Sequence, residues 1–269
     1  MKSNPEKSII SKEKKPLISK TIDSFFVDIY NVYQFVIKFF KEVFFPPFEL
    51  KEIINQCYLI GFKSLPLISL TGFIIGIVFT KQSRPSLAAF GASSWLPSLI
   101  SIAVIRTLAP LVTGLIASGK IGSIIGAELG SMKVTEQIDA MEVSATNPFK
   151  FLVISRILAV TLMMPILVLY TGLVGMMGAY LNIHQNELTS FTAFFRSAFK
   201  SISFLDLYSS LFKSVVYGFT ISVAGCYQGY NASNGTEGVG KAANSAVVLS
   251  MLLIFLEELV IVQFINEIR

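Results

Sequence analysis

The feature that most constrains this chain is where its acidic residues are missing. None occurs in the 75 residues from Ile53 to Ala127, and none lies between Glu142 and Glu187. A water-soluble domain has to face solvent along every such stretch, and soluble chains carry roughly 25% charged residues. Here the figure is 14%, against 53% hydrophobic residues in 269. A soluble enzyme is therefore excluded. Apolar runs near the length of a bilayer-spanning helix point to a polytopic, all-α integral membrane protein.

The apolar runs predict five spans, at about Ile60–Thr80, Leu96–Ser118, Phe149–Ile183, Leu207–Tyr227 and Ser245–Ile265. Ahead of them, Ile22, Phe25, Phe26, Ile29, Tyr33, Val36, Ile37, Phe40 and Phe44 form one helical stripe, with Asp23, Asp28, Lys38, Lys41 and Glu42 on the other side. Five charges make spanning costly, so residues 22–47 read as an amphipathic helix in the membrane interface, ended by Pro46-Pro47. Residues 1–21 read as a disordered basic tail, since Glu6 and Glu13 and the lack of an apolar core argue against a signal peptide. Residues 48–269 form the membrane domain.

Basic residues set the orientation. With the amino terminus inside, residues 1–61, 119–150 and 228–243 carry 13 Lys and Arg, and the outer segments carry 5. Four more, Lys63, Arg106, Arg156 and Lys213, fall within spans.

Little in the chain suggests chemistry of its own. Cys57 and Cys226 are far apart and His184 is the single histidine, so neither a zinc site nor histidine catalysis is expected, and no cofactor is implied. Gly114 to Ile121 approaches a nucleotide-binding P-loop, but Ile121 stands where a hydroxyl is required and the segment leaves a membrane helix. ATP, if used, is hydrolysed by another chain. The glycines at 235, 238 and 240 follow no strand and make no dinucleotide fingerprint.

Two constellations carry the functional expectation. The first is the inner loop Lys120–Asn147. Val134, Ile138 and Met141 form an apolar stripe, and Glu136, Asp139 and Glu142 lie opposite. That pattern predicts a short amphipathic helix on the amino-terminal side of the membrane, either docking a partner or forming an ordinary structured loop. Gly122, Gly126 and Gly130 ahead of it allow tight packing or a sharp turn. The second is the set of ionisable residues inside the membrane, which are costly to bury and hence functional candidates. Lys213 and Glu258 lie at matched depths, roughly 9 and 10 Å below the outer helix ends at 1.5 Å per residue. A Lys213–Glu258 pair is expected, lining a path or acting as a static ion pair. Arg106 has no acid at its own depth; Pro110 frees the carbonyl of residue 106 as an acceptor near the guanidinium. Arg156 is expected to snorkel to the inner face.

The central block resembles the MlaE-type permease family, the membrane subunits of ABC transporters that move lipids with MCE-domain partners. The residues that carry the resemblance are Arg106, Leu108 and Pro110, Gly119 and Gly122, Ala127-Glu128-Leu129-Gly130, Met132 and the run Val134–Met141. They continue with Asn147-Pro148, Arg156, Ala159 and Pro165, then Phe212–Gly218 and Gly238–Val248. The resemblance implies a lipid permease subunit working as a homodimer, with a separate ABC ATPase subunit, an MCE-domain lipid-binding protein and membrane lipids as partners, and no nucleic acid. It implies a coupling surface at Glu128, Gly130, Thr135, Glu136, Gln137 and Asp139, and translocation-path candidates at Arg106, Lys213 and Glu258. Thr107 and Lys120 depart from it, since many members have glutamate and arginine there. The wording is closest to the cyanobacterial and plastid branch, which with the lysine- and phenylalanine-rich composition favours a chloroplast membrane over a bacterial inner membrane. The competing readings are an ion-coupled secondary transporter and a membrane assembly factor. The first is disfavoured by the lack of paired repeats.

Overall fold

Backbone groups in hydrocarbon must be satisfied within their own segment, and this sequence meets that requirement with helices alone. The computed structural model describes residues 17–46, 49–187 and 189–268, and among them there is no strand. The chain divides into two compact units, Met1–Glu42 and Val43–Arg269. The expected basic tail lies, up to residue 16, outside the described residues.

In the first unit α1 (Leu17–Glu42) ends in a Lys38–Glu42 ion pair one turn apart. Phe26, Ile29, Tyr30, Tyr33 and Phe40 are exposed along it.

The second unit is a helical bundle. Helix α2 (Leu50–Gly61) runs through a 3₁₀ turn at Phe62–Ser64 into α3 (Leu65–Ala89). The segment Ser93–Val134 is one long helix: α4 (Leu96–Ala103), a π turn at Val104–Leu108, α5 (Ala109–Ala117), a second π turn at Ser118–Gly122, and α6 (Ser123–Val134). A short α7 (Gln137–Val143) follows, then a π turn at Phe149–Ile154 leading into α8 (Ser155–Glu187). The bundle is completed by α9 (Phe191–Ser201), α10 (Phe204–Tyr230) and α11 (Thr236–Ile268).

Four helical segments are long and apolar enough to cross a membrane: Leu50–Ala89, Ser93–Val134, Phe149–Asn186 and Thr236–Glu267. Each contains one of the expected spans. The remaining expected span, Leu207–Tyr227, lies in α10, which at 27 residues is also long enough, about 40 Å at 1.5 Å per residue. It is not among the four because Ser209, Ser210, Lys213, Ser214 and Ser222 interrupt its apolar sequence. All five are buried, since α10 packs against α6, α8 and α11 and turns its polar face inward. The outward faces are apolar rows at helical spacing, such as Leu162, Ile166, Leu169, Leu173 and Met177 on α8.

Missing side chains set the closest approaches. A Cβ on Gly76 would collide with the Gly175 carbonyl, and one on Gly178 with the Phe73 carbonyl, so α3 and α8 touch backbone to backbone. Across this seam the Ser69 and Tyr170 hydroxyls meet at 2.7 Å, and those of Thr113 and Thr171 join α5 to α8 at the same distance.

Two parts of the architecture differ from the sequence reading. Lys120–Asn147 is not a loop from its first residue: the second span continues as helix to Val134. Gly126 and Gly130 hold α6 against α11, where added Cβ atoms would come within 3.1 Å of Ala243 Cα and 3.5 Å of Val239 Cα. The glycines serve packing, not a turn. The second difference is α9, which the sequence reading left as a connection. Its start is capped by Ser190, which accepts from the Ala193 N–H. Phe194 and Ala198 are fully buried against Leu96, Ile100, Met176 and Ile183.

Candidate functional site

At the π turn Val104–Leu108 the helix cannot use residue 110 as a donor, because proline has no N–H. The carbonyl of Arg106 is left open, and Lys213 fills it: Nζ lies 3.4 Å from that oxygen. The same ammonium donates to Glu258 Oε1 at 2.6 Å, and the Tyr217 hydroxyl donates to Glu258 Oε2. Lys213 and Tyr217 have no exposed surface, and the Glu258 side chain is 13% exposed. A lysine completely buried between helices is stable only with its charge paired, and here three helical segments, those carrying Arg106, Lys213 and Glu258, supply the pairing.

Arg106 itself corrects the sequence reading. Its guanidinium does have an acid: Nε lies 3.9 Å from Asp206 Oδ1, and Nη2 donates to Asn266 Oδ1 at 2.6 Å. Matching depths by Cα position misses this, because the long side chain reaches along the bundle towards the start of α10. Asp206 is fixed there as the reciprocal partner of the Ser203 cap, accepting from the Ser203 N–H at 3.1 Å. The freed carbonyl serves the lysine ammonium and not the guanidinium. The polar cluster thus comprises Arg106, Asp206, Lys213, Tyr217, Glu258 and Asn266, of which the sequence reading named three.

Beside the cluster an apolar groove of about 660 Å³ opens between α10 and α11, lined by Leu205, Phe212, Val216, Leu256, Val260 and Phe264. Glu257 borders it, holding the Thr220 hydroxyl with Oε1, while Oε2 is buried with no hydrogen-bond partner.

The first constellation, Lys120–Asn147, lies at the other end of the long Ser93–Val134 helix from Arg106. Arg156 does not snorkel. It is 5% exposed, donates from Nη1 to the Leu152 carbonyl at 3.0 Å, and pairs from Nη2 with Glu128 Oε2 at 3.2 Å. Glu128 leaves nearly half its side chain exposed, so the pair joins a buried cation to the bundle's rim. Two residues on, Gly130 packs against Val239 and Ala242 of α11.

Beyond it α6 ends at Thr135, and Glu136 turns the chain with a left-handed backbone, φ 59°. A non-glycine residue held there carries local strain of about 1–2 kcal/mol. Two contacts hold the turn: Ile138, 1% exposed, anchors α7, and Lys133 Nζ meets Asp139 Oδ1 at 3.0 Å. Val134 and Met141 are half-buried, whereas Thr135, Glu136, Gln137, Asp139 and Glu142 are exposed. The apolar and acidic sides lie as the spacing predicts, although Val134 belongs to the preceding helix. No cluster of three or more potential metal ligands occurs among the described residues.

Comparison with known proteins fits this geometry. The model of the family described as "Permease MlaE" matches residues 53–264. A probable ABC transporter permease of Rickettsia prowazekii is 38% identical over 238 residues, covering 88% of this chain and 91% of the relative. One of Porphyra purpurea is 36% identical over 199 residues, covering 73% and 75%. The chloroplastic protein trigalactosyldiacylglycerol 1 of Arabidopsis thaliana is 32% identical over 214 residues, covering 80% of this chain and 61% of the relative. An all-helical bundle with four long apolar helices, matched by one family model across nearly its whole membrane unit, is an integral membrane protein, and the chain belongs to the MlaE permease family of ABC transporters.

Proposed function

We propose that the chain is the membrane subunit of an ABC transporter that moves a diacyl lipid, with ATP hydrolysed by a separate subunit. The observation that carries this reading is the family match across residues 53–264. The lipid is supported by the Arabidopsis relative, whose name is that of a galactolipid, and by the apolar groove between α10 and α11 beside the buried charges. Arg106 and Glu258, the partly exposed members of the cluster, would present a polar strip to the lipid's path in an otherwise apolar wall, with the buried Lys213 holding Glu258 in place.

In this reading α10 also crosses the membrane, as the fourth of five spans, the amino terminus is inside, and α1 lies in the interface plane of the membrane. The ATPase subunit docks on Glu128, Gly130, Thr135, Glu136, Gln137 and Asp139. What supports docking there is an acidic, exposed edge on a short helix that is anchored by Ile138 and follows directly on α6, which Glu128–Arg156 ties to α8. A push on α7 would thereby reach two spans at once. Two copies of the chain form the path, and an MCE-domain protein receives or delivers lipid on the opposite side. Relatives in bacteria and in the chloroplast bracket the location, and the organellar reading places the chain in a chloroplast membrane. The test is reconstitution of the chain with its co-purified ATPase in liposomes holding a fluorescent diacyl lipid. ATP-dependent lipid movement is expected, and its absence with an active ATPase would refute the proposal.

A further inference from the structure

Two helix irregularities face each other at the end of the bundle that carries α7. The 3₁₀ turn Phe62–Ser64 interrupts the first long helix, and the π turn Ser118–Gly122 interrupts the second. The Lys120 ammonium donates to the carbonyl of Lys63 across the gap. Between them lies a pocket of about 190 Å³ whose walls include Gln56, Lys63, Ser64, Lys120 and Glu128. Ser64 is 2% exposed, and its hydroxyl has no hydrogen-bond partner. Other serines in these two helices, Ser69, Ser118 and Ser123 among them, close back on the carbonyl four residues earlier. A buried hydroxyl without a partner costs free energy unless something fills the site.

Charge and shape indicate the occupant. Lys63 and Lys120 bring two positive charges. The one carboxylate in its lining, Glu128, is paired with Arg156, so the lining carries two ammonium groups against one carboxylate that already has a cation of its own. The pocket is therefore net cationic. An apolar shelf of about 560 Å³ starts at the same lysine, lined by Leu67, Val112, Leu115, Ile116, Gly119 and Met251. It follows α5 away from Lys120, towards the middle of the second long helix. Gly119 leaves it open: a Cβ there would have only Met251 Cε within 4 Å, at 3.7 Å. A cationic pocket between membrane helices is a binding site for anionic headgroups, and an apolar shelf leading from it fits a chain.

We infer that Lys63, Ser64 and Lys120 bind the phosphate of an anionic glycerophospholipid in the leaflet on the α7 side, with one acyl chain on the Val112–Gly119 shelf. The ligand class rests on the lipid-permease reading, but binding requires no ATPase. The site lies at the opposite end of the bundle from Arg106 and Glu258, so it holds lipid at the bilayer surface and not in the polar cluster.

Native mass spectrometry of the full chain, purified in detergent with equal phosphatidylglycerol and diacylglycerol, reads the site directly. The chain should retain phosphatidylglycerol in roughly thirtyfold preference, from two lysine–phosphate contacts. Lys63→Gln with Lys120→Gln should abolish the preference, and Lys120→Arg should keep it. Gly119→Leu, which fills the shelf and leaves the charges, should also lower retention. Unchanged preference in the double variant overturns the site. If the double variant fails to fold, unchanged retention in Gly119→Leu overturns it instead. Equilibrium dialysis with inorganic phosphate separates the sources: phosphate that binds through the lysines and displaces the lipid, with Gly119→Leu silent, makes this a free-phosphate site and refutes the lipid. Failure of ATP-driven transport with retention intact would count against the permease reading alone.

Discussion

Replacing Lys213 by methionine tests whether the buried polar cluster holds the membrane bundle together. The lysine is completely buried, and its Nζ sits 2.6 Å from Glu258 Oε1. At an effective dielectric near 20 the gross attraction at that distance is about 6 kcal/mol. Desolvating the two ions costs several kcal/mol each, so the intact pair is close to neutral for stability. Removing only the lysine leaves the desolvated carboxylate and takes away its partner, which costs about 3–5 kcal/mol. The Tyr217 hydroxyl still donates to Glu258, which places the expected loss near the lower end, about 3 kcal/mol. Lys213→Met combined with Glu258→Gln removes both charges, and should be milder than the sum of the single changes by about 2 kcal/mol or more. Reversible unfolding in bicelles, followed for the wild type, both singles and the double, gives the coupling. Additive single effects would refute the reasoning, because two groups in contact in a low-dielectric site cannot be independent.

Three further outcomes follow from the same structure. Glu136→Lys with Asp139→Lys reverses charge on an exposed edge, so the fold should survive while co-purification of the ATPase subunit falls; unchanged recovery would remove α7 from the docking surface. Gly76→Ala pushes a methyl into the Gly175 carbonyl and should destabilise the bundle by about 1–3 kcal/mol in the same unfolding assay, whereas a neutral change would mean that α3 and α8 are not in backbone contact. Ser203→Ala removes the cap at the start of α10 and should cost about 1 kcal/mol, with proteolysis of the 200–208 connection as a second readout; equal stability would show that the capping box is not formed.

How much of this was legible in the chain can be traced residue by residue. The membrane helices were visible because each must bury its own backbone and so writes a long apolar run, and even α10 could be found despite its serines. The acidic side of α7 was visible because its spacing is local. The continuation of the second helix to Val134 was harder to see, because Gly126 and Gly130 look like breakers until α11 is packed against them. Helix α9 did leave a signal that went unused: Ser190 followed by Phe191, Phe194, Phe195 and Ala198 is a cap with an apolar stripe. Arg106 shows the limit of depth arithmetic. Counting residues along a helix gives the level of a Cα, but not the direction in which a long side chain leans, so Asp206 and Asn266 were invisible as its partners. Arg156 failed for a similar reason, since snorkelling assumes water above the residue and Glu128 occupies that place.

The central claim, that this chain moves lipid with energy supplied by another subunit, meets its most direct test in one reconstitution. The chain is placed in liposomes alone and with its ATPase subunit, and ATP turnover and movement of a fluorescent diacyl lipid are recorded together. The account predicts no ATP turnover and no directed lipid movement for the chain alone, and ATP-dependent movement once the ATPase is bound. ATP hydrolysis by the chain alone, or a bound and active ATPase that leaves the lipid where it was, would contradict it.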